Sequence, residues 1–262
     1  MTLILFLGVG VVAGLLAGML GVGGGIVIVP VLLTAFHYLD VAPGVTAHLA
    51  IGTSLATIVF TSLSAIRAQQ RKRAIDWPLV FALVPSVIIG SFLSGYVAGS
   101  IPGNLLRTLF GGFLVLAGVQ LLLNWRPGGH RGLPGRVGLW VSGGVIGMVS
   151  ALVGIGGGTL TVPFLSWCNV EMKRAVAASS TLGFGLALFG ATGFVLAGWG
   201  HPELPSWSLG YVYLPAWLGI SATAVLFAPL GVRLSHALPV ATLKRVFGVL
   251  LLLVAVRMLL FR

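Results

Sequence analysis

Two glycine clusters are the residues of this chain whose type and spacing point most clearly to chemistry. They stand in GMLGVGGGIVIVP (18–30) and ALVGIGGGTLTVP (151–163), which align at a shift of 133 positions. Each cluster interrupts an apolar run, so a new helix starts there with free backbone N–H groups and the positive end of its dipole. Such a helix start binds small anions without a charged side chain. We therefore predict one anion site between the clusters, with contacts from Gly23, Gly24, Gly25, Gly156, Gly157 and Gly158.

Polar side chains follow each glycine cluster inside an otherwise apolar segment. They are His48, Thr53 and Ser54 in the first half and Ser179, Ser180 and Thr181 in the second. These groups can donate to an oxyanion, and a histidine can also carry a coupled proton near neutral pH. Structural alternatives stay open. The hydroxyls could bond back to their own helix carbonyls, the histidine could be neutral and bonded to a neighbouring helix, and the glycines could serve close helix packing.

The elements that position these residues are expected to be membrane helices. Hydrophobic residues make up 58% of the chain and charged residues 7%, whereas a soluble domain has about one quarter charged residues. Apolar runs near the bilayer-crossing length of about 20 residues occur at 77–99, 105–123, 209–230 and 243–260. The formal charge of +11 is spread over short connections, so it does not indicate nucleic-acid binding. The single cysteine, Cys168, excludes an internal disulfide.

The chain divides into two similar halves within one membrane transport domain, residues 1–262. Repeat 1 covers about 1–124, a polar connector about 125–136, and repeat 2 about 137–262. Each half is predicted to hold a glycine-broken helical hairpin and three membrane spans, so the fold class is all-α and polytopic. The predicted segments lie near 3–20, 26–38, 43–66, 77–99 and 104–124, and near 137–153, 159–168, 174–198, 208–232 and 240–261.

The distribution of Lys and Arg distinguishes two topologies for the broken segments. If each were an ordinary crossing, eight of these residues would be cytoplasmic and six outside, which is almost no bias. If each is a hairpin that returns to its own side, the second half inverts and only Arg107 and Arg262 stay outside. The cytoplasmic residues are then Arg67, Arg71, Lys72, Arg73, Arg126, Arg131, Arg136, Lys173, Arg174, Arg233, Lys244 and Arg245. Because cytoplasmic connections are enriched in Lys and Arg, we predict an inverted repeat with both termini outside.

The glycine phrases and the polar stretches after them, HLAIGTS (48–54) and ASSTLGF (178–184), resemble the sulfite exporter TauE/SafE family of membrane transporters, the toluene-sulfonate uptake permease group. The resemblance covers essentially the whole chain. It implies a substrate among sulfite, sulfonates and related organosulfur anions. The double motif is specific for the family and says little about which of these anions is carried.

Together these features predict a secondary transporter or facilitator that exports a small sulfur-containing oxyanion across a bacterial-type cytoplasmic membrane. No nucleotide-hydrolysing motif is present, and an inside-negative potential favours anion exit. An anion channel and a carrier for another small anion are the alternatives. An intramembrane enzyme is disfavoured, since the spans hold neither paired carboxylates nor a metal-ligand pattern. We expect the lipid bilayer as a partner, no cofactor, no metal and no nucleic acid, and the sequence leaves a homo-oligomer open.

Overall fold

The structure, a computed structural model, describes residues 2–20, 24–71, 73–123, 132–234, 248–249, 251–256 and 258. Five of its helices are long and apolar enough to cross a membrane. The prediction of an all-α polytopic membrane protein is therefore confirmed. The elements in the described ranges are α1 (Thr2–Leu20), α2 (Gly25–Tyr38), α3 (Pro43–Arg71), α4 (Trp77–Ala98), α5 (Gly103–Leu122), α6 (Arg136–Val153), α7 (Gly158–Trp167), α8 (Met172–Ala197), β1 (Ser208–Leu209), β2 (Val212–Tyr213) and α9 (Leu214–Leu234).

Both glycine clusters break a helix where the sequence predicts a break. α6 ends where Gly154 adopts a left-handed conformation with a φ of 68°. α2 begins after Gly24, whose φ is 78°. Glycine takes this conformation without the steric cost that a side chain would add. α7 begins at Gly158, so each cluster separates two helices.

The start of α2 lies beside α1. A Cβ atom built on Gly24 would lie 2.8 Å from the carbonyl oxygen of Ala13. Ala13 precedes the end of α1 at Leu20 by seven residues, which corresponds to about 10 Å along a helix. α2 therefore starts alongside α1 rather than beyond its end, as the predicted hairpin requires.

The helices of each predicted repeat pack mainly against helices of the other repeat. α1 packs mainly against α9, and α6 packs mainly against α4. In repeat order α1 corresponds to α6 and α4 corresponds to α9, so these two pairings are equivalent. α3 packs against both α8 and α9, while α8 packs against both α3 and α4. Each half thus buries its first, third and fourth helices against the other half, and the two halves share one core.

α3 and α8 pass each other in opposite directions. Gly52 of α3 lies against Phe194 of α8, whereas Gly183 of α8 lies against Ser62 of α3. The residue numbers rise along one helix as they fall along its neighbour, which defines an antiparallel pair. Equivalent helices of an inverted repeat also run in opposite directions. The inverted repeat itself stays a prediction.

The structure corrects the predicted span at 208–232. Its first residues form strands β1 and β2, which pair Leu209 with Val212, and α9 begins only at Leu214. Gly210, with a φ of 53°, lies in the two-residue turn, where positive φ matches the twist of the strands. The turn packs on α3, because the carbonyl oxygen of Tyr211 occupies the position that a Cβ atom on Gly52 would need. The prediction is wrong for 208–213, since this packing favours a hairpin over a helical turn.

Two predicted segments lie mostly outside the described residues. They are the connector at about 125–136 and the last span at 240–261. The predicted span at 43–66 is present and continues as α3 to Arg71.

Candidate functional site

The two glycine clusters contact each other directly. A Cβ atom on Gly25 would collide with the carbonyl oxygen of Gly154 and would lie 3.0 Å from the Cα atom of Ile155. Gly154 packs in turn on α3, where its own Cβ position is 3.1 Å from the Cα atom of Ile51. Only glycine allows the backbones to approach this closely. Two segments far apart in the sequence therefore form one structural unit.

A small space lies beside this contact, and we call it the break cavity. Small side chains keep it open, while hydroxyl groups and backbone amides make it polar. Its lining, which comes from α1, α3, α8 and the residues just before α7, consists of Ala17, Thr61, Ser62, Ala65, Gly156, Gly157, Ser179, Ser180 and Gly183.

One hydroxyl group of the break cavity has no hydrogen-bond partner in the described part of the chain. Ser179 is 1% exposed, and its Oγ atom is buried and unpartnered. By contrast, Ser180 donates to the carbonyl oxygen of Val176 at 3.0 Å. A buried polar group without a partner costs about 1–3 kcal/mol. A ligand that accepts a hydrogen bond from the Ser179 hydroxyl group would remove this cost.

The start of α7 adds backbone donors to the same cavity. Gly157 is the residue that precedes this helix. A Cβ atom built on Gly183 would lie 3.8 Å from the amide nitrogen of Gly157 and 3.5 Å from Oγ of Ser62. The first N–H groups of a helix have no partner within the helix. Because Gly183 has no side chain, a gap remains between the Ser62 hydroxyl group and the start of α7.

The electrostatics of the break cavity favour an anion. No charged side chain is among the described residues that line it. All four acidic residues of the chain lie between helices, at Asp40, Asp76, Glu171 and Glu203. The positive end of the α7 dipole is then the main fixed electrostatic feature and attracts negative charge. Nowhere in the described ranges do three His, Cys, Asp or Glu side chains group as metal ligands would.

The break cavity is too small for an anion in this conformation. Its free volume is about 10 Å³, roughly the space that one water molecule needs. Even a small oxyanion is larger than that. Binding therefore requires a movement of the helices that surround the cavity.

The second-half residues of the predicted site largely come together. Thr181 is not part of the lining, and its hydroxyl group donates to the carbonyl oxygen of Ala177 at 3.0 Å. Gly158 adjoins the cavity as the first residue of α7. The predicted residues that line the break cavity are Gly156, Gly157, Ser179 and Ser180.

The first-half residues hold the surrounding structure together instead. Gly24 forms the turn and Gly25 the contact between the clusters, while Gly23 lies outside the described residues. The Thr53 hydroxyl group accepts a hydrogen bond from the backbone N–H of Tyr213 at 2.9 Å. Ser54 donates to the carbonyl oxygen of Gly154 at 2.8 Å. Both side chains are fully buried, and their hydrogen bonds are internal.

Two residues with hydroxyl groups line the break cavity although the sequence analysis does not predict them as site residues. Thr61 and Ser62 follow Ser54 by two turns of α3 and bring hydroxyl groups to the break cavity. The signal that could have identified them is the polar run TSLS (61–64) inside an apolar span. Polar residues within a membrane helix are candidates for function by default.

His48 lies apart from the break cavity, near the start of α3. Its Nε2 atom is 3.0 Å from the carbonyl oxygens of both Ala98 and Ile101. The imidazole stacks on the ring of Tyr211, with 4.8 Å between the ring centroids. His48 lines a separate, wider depression. The structure thus does not bring His48 together with the predicted serines.

Comparison with known proteins supports one family over nearly the whole chain. The pattern of the family described as "Sulfite exporter TauE/SafE" matches residues 6–258. A probable membrane transporter protein of Haemophilus influenzae is 37% identical over 257 residues, which cover 98% of this chain and 97% of that protein. The probable membrane transporter protein YunE of Bacillus subtilis is 27% identical over 278 residues, covering 97% of this chain and 96% of that protein.

A further relative covers somewhat less of the chain. A probable membrane transporter protein of Methanocaldococcus jannaschii is 27% identical over 230 residues, 87% of this chain and 84% of that protein. No solved structure matches the chain. The fold is that of a polytopic membrane protein, the glycine clusters meet as one unit, and the family pattern spans almost the full length. The chain belongs to the sulfite exporter TauE/SafE family of membrane transporters.

Proposed function

We propose that this membrane transporter is a secondary carrier for a small sulfur-containing oxyanion, such as sulfite or an organosulfonate. The anion binds in the break cavity and leaves the cell across the cytoplasmic membrane. The observation that carries this proposal is the Ser179 hydroxyl group, buried without a partner beside the start of α7. A hydroxyl donor, backbone amides and a helix dipole together make an anion site that needs no cation.

The proposed ligand is a sulfur oxyanion because of the family and the chemistry of the cavity. The name of the family refers to sulfite export, and its relatives are named only as probable membrane transporters. Sulfite and sulfonates carry several acceptor oxygens around one sulfur atom. Hydroxyl and backbone N–H donors around a compact space therefore complement these anions. The small size of the cavity limits the size of the anion that can bind.

A carrier is proposed rather than a channel because the break cavity is too narrow for an ion. With only about 10 Å³ free, the proposed site cannot hold or pass an ion without a change of conformation. Antiparallel α3 and α8 border the cavity from opposite halves, so a movement of one half against the other would open it. Such a rearrangement around a site at the repeat interface is how carriers with inverted repeats expose a ligand to each side in turn.

Export is the proposed direction, because the membrane potential alone can drive it. An inside-negative potential favours anion exit by about 2.3 kcal/mol per charge per 100 mV. The break cavity holds no ionisable side chain among the described residues, so an obligatory proton is not needed there. The proposed orientation places both termini outside, with the inverted repeat of the sequence prediction.

The test is potential-driven efflux from liposomes that contain the purified protein. Vesicles are loaded with sulfite, methanesulfonate, chloride or sulfate, and a potassium gradient with valinomycin sets the potential. The proposal expects saturable efflux of sulfite or methanesulfonate, well above that of chloride and above that of protein-free vesicles. Equal efflux of every anion without saturation would contradict a selective carrier.

A further inference from the structure

Thr161 on α7 carries a buried hydroxyl group that makes no hydrogen bond. The residue is 0% exposed, and its Oγ1 atom has no partner in the described part of the chain. Several other threonines donate instead to the carbonyl oxygen four residues back, a common arrangement in helices. They are Thr34, Thr46, Thr57, Thr108, Thr181 and Thr192. The Thr161 hydroxyl group is an exception to this arrangement and keeps a free donor inside the protein.

This hydroxyl group borders the gap at Gly157, beside the break cavity. A Cβ atom built on Gly157 would lie 3.3 Å from Oγ1 of Thr161 and 3.9 Å from the Cα atom of Gly183. Gly157 and Gly183 both line the break cavity. Because Gly157 has no side chain, no side-chain atom of this residue separates the Thr161 hydroxyl group from the cavity.

Hydroxyl groups from two helices flank the contact between Gly157 and Gly183. Ser179 precedes Gly183 by four residues on α8, so both lie on the same face of that helix. Thr161 follows Gly157 by four residues, at the start of α7. The Oγ atom of Ser179 and the Oγ1 atom of Thr161 are both buried and unpartnered. One pair of glycines therefore has a free hydroxyl donor on each of the two helices that meet there.

The aligned positions of the first half hold apolar side chains. The glycine phrases align Thr161 with Ile28, and the polar stretches after them align Ser179 with Leu49. Ile28 and Leu49 are both 0% exposed. Buried apolar side chains thus occupy these positions in one half, whereas the other half has two hydroxyl groups without partners. This difference favours a role in binding over a role in packing.

We propose that Thr161 is a second anion-binding residue of the break cavity and donates its hydroxyl group to the sulfur oxyanion together with Ser179. This inference rests on the carrier function proposed above. The break cavity widens when it takes up the anion, and an anion at the contact between Gly157 and Gly183 then accepts one hydrogen bond from each hydroxyl group. The first N–H groups of α7 add backbone donors at the same place.

Thr159 provides a matched control on the same helix. Its Oγ1 atom is also buried without a partner in the described ranges. Thr159 precedes Thr161 by two residues, which corresponds to about 200° around an α-helix. The two side chains therefore project from opposite sides of α7. Replacing Thr159 tests whether the loss of any unpartnered hydroxyl group from α7 changes transport.

The experiment measures potential-driven efflux from liposomes for wild type, Thr161→Val, Thr161→Ser, Thr159→Val and Ser179→Ala. The probe is sulfite, or methanesulfonate if wild type carries only that anion. Valine keeps the shape of threonine and removes the hydroxyl group, whereas serine keeps the hydroxyl group and removes a methyl group. Thr161→Ala replaces Thr161→Val if the valine variant does not fold. Thermal unfolding in detergent without the anion measures the stability of each variant.

We expect the KM of Thr161→Val to rise about fivefold to tenfold, because the bound anion loses one donor. Thr161→Ser should stay within about threefold of wild type and Thr159→Val within about twofold. Thr161→Val should unfold at the wild-type temperature or above it, since it removes a buried polar group that has no partner. A hydroxyl group with only a structural role predicts the opposite combination, a lower unfolding temperature with an unchanged KM.

Three results would overturn the role of Thr161 and leave the carrier function standing. The first is a KM of Thr161→Val equal to that of wild type, and a raised KM in Ser179→Ala would then leave Ser179 as the hydroxyl donor of the site. The second is an equal rise in Thr161→Val and Thr159→Val. The third is an equal rise in Thr161→Val and Thr161→Ser. A wild type without saturable efflux of either sulfite or methanesulfonate would instead overturn the carrier function itself, and the role of Thr161 with it.

Discussion

Two buried serines offer a way to separate binding from structure at the scale of single residues. Ser179 and Ser150 are each 1% exposed, and neither hydroxyl group has a partner in the described part of the chain. Ser179 lines the break cavity, whereas Ser150 lies on α6 and is not part of that lining. Replacement by alanine removes the same hydroxyl oxygen from both residues. A difference in transport between the two variants would therefore report on the break cavity.

Ser179→Ala is expected to raise the KM of sulfite efflux about tenfold, because the bound anion loses one hydroxyl donor worth about 1.4 kcal/mol. Ser150→Ala is expected to leave KM within about twofold of wild type. Neither variant loses a described hydrogen bond, so thermal unfolding in detergent should stay close to wild type for both. Efflux from liposomes over a range of internal sulfite concentrations measures KM. Equal KM values for the two variants would remove Ser179 from the site.

The sequence predicts which polar residues lie near the site better than it predicts the contacts that each of them makes. Ser179 and Ser180 were predicted and line the break cavity, yet Thr53 and Ser54 were predicted beside them and instead hold Tyr213 and Gly154. A polar residue inside an apolar run indicates that its hydroxyl group lies in a membrane helix. Which backbone group it faces depends on the neighbouring helix and hairpin, and these two contacts span 160 and 100 positions of the sequence.

The contact between the glycine clusters makes a prediction at the scale of elements. Gly25→Ala is expected to destabilise the protein by about 1–3 kcal/mol, because its methyl group must push Gly154 and Ile155 away. Gly112→Ala, inside α5 with no atom within 4 Å of its Cβ position, should be neutral or slightly stabilising. Thermal unfolding in detergent, followed by circular dichroism, measures both. A Gly25→Ala protein as stable as Gly112→Ala would contradict the close approach of the two clusters.

The β1–β2 hairpin makes a second prediction at this scale, through its anchor on α3. Thr53→Val keeps the shape of the side chain but leaves the backbone N–H of Tyr213 without its acceptor, which should cost about 1–3 kcal/mol of stability. Thr192→Val is the control, because the exposed Thr192 hydroxyl group bonds only within α8, to Leu188. Its effect should stay below about 0.5 kcal/mol. Similar unfolding temperatures for both variants would show that the hairpin does not depend on Thr53.

The order of the helices could be predicted from the sequence, but the hairpin could not. Apolar runs and glycine breaks identified the elements from α1 to α8 to within a few residues, since length and hydropathy are local properties. At 208–213 the same apolar composition forms strands. The reason is tertiary, because Gly52 leaves room for the Tyr211 carbonyl group, and nothing near residue 208 in the sequence records that space.

At the scale of the whole molecule, the exchanged packing of α1 with α9 and of α6 with α4 agrees with the internal repeat read from the sequence. The antiparallel α3 and α8 support the proposed inverted orientation of the halves. This orientation places Arg71 and Lys173 on the same, cytoplasmic side, although they belong to different halves. An uninverted repeat would place them on opposite sides.

The orientation is tested by single cysteines in a Cys168→Ser background. Arg71→Cys, Lys173→Cys and Ser206→Cys change three exposed positions, at the end of α3, at the start of α8 and in the connection before β1. In intact cells, a thiol reagent that cannot cross the membrane is expected to label the cysteine at position 206 and neither of the others, whereas opened membranes should give labelling of all three. Labelling of position 173 but not 71 in intact cells would contradict the inverted repeat.

The central claim is that the chain is a carrier whose narrow cavity opens to each side in turn, and sulfite counterflow tests it most directly. Liposomes with the purified protein are loaded with unlabelled sulfite and diluted into a trace of ³⁵S-labelled sulfite without a membrane potential. The account predicts a transient accumulation of label above its external concentration, weaker in Ser179→Ala than in Ser150→Ala. Net sulfite flux without any such accumulation would contradict the account and indicate a channel.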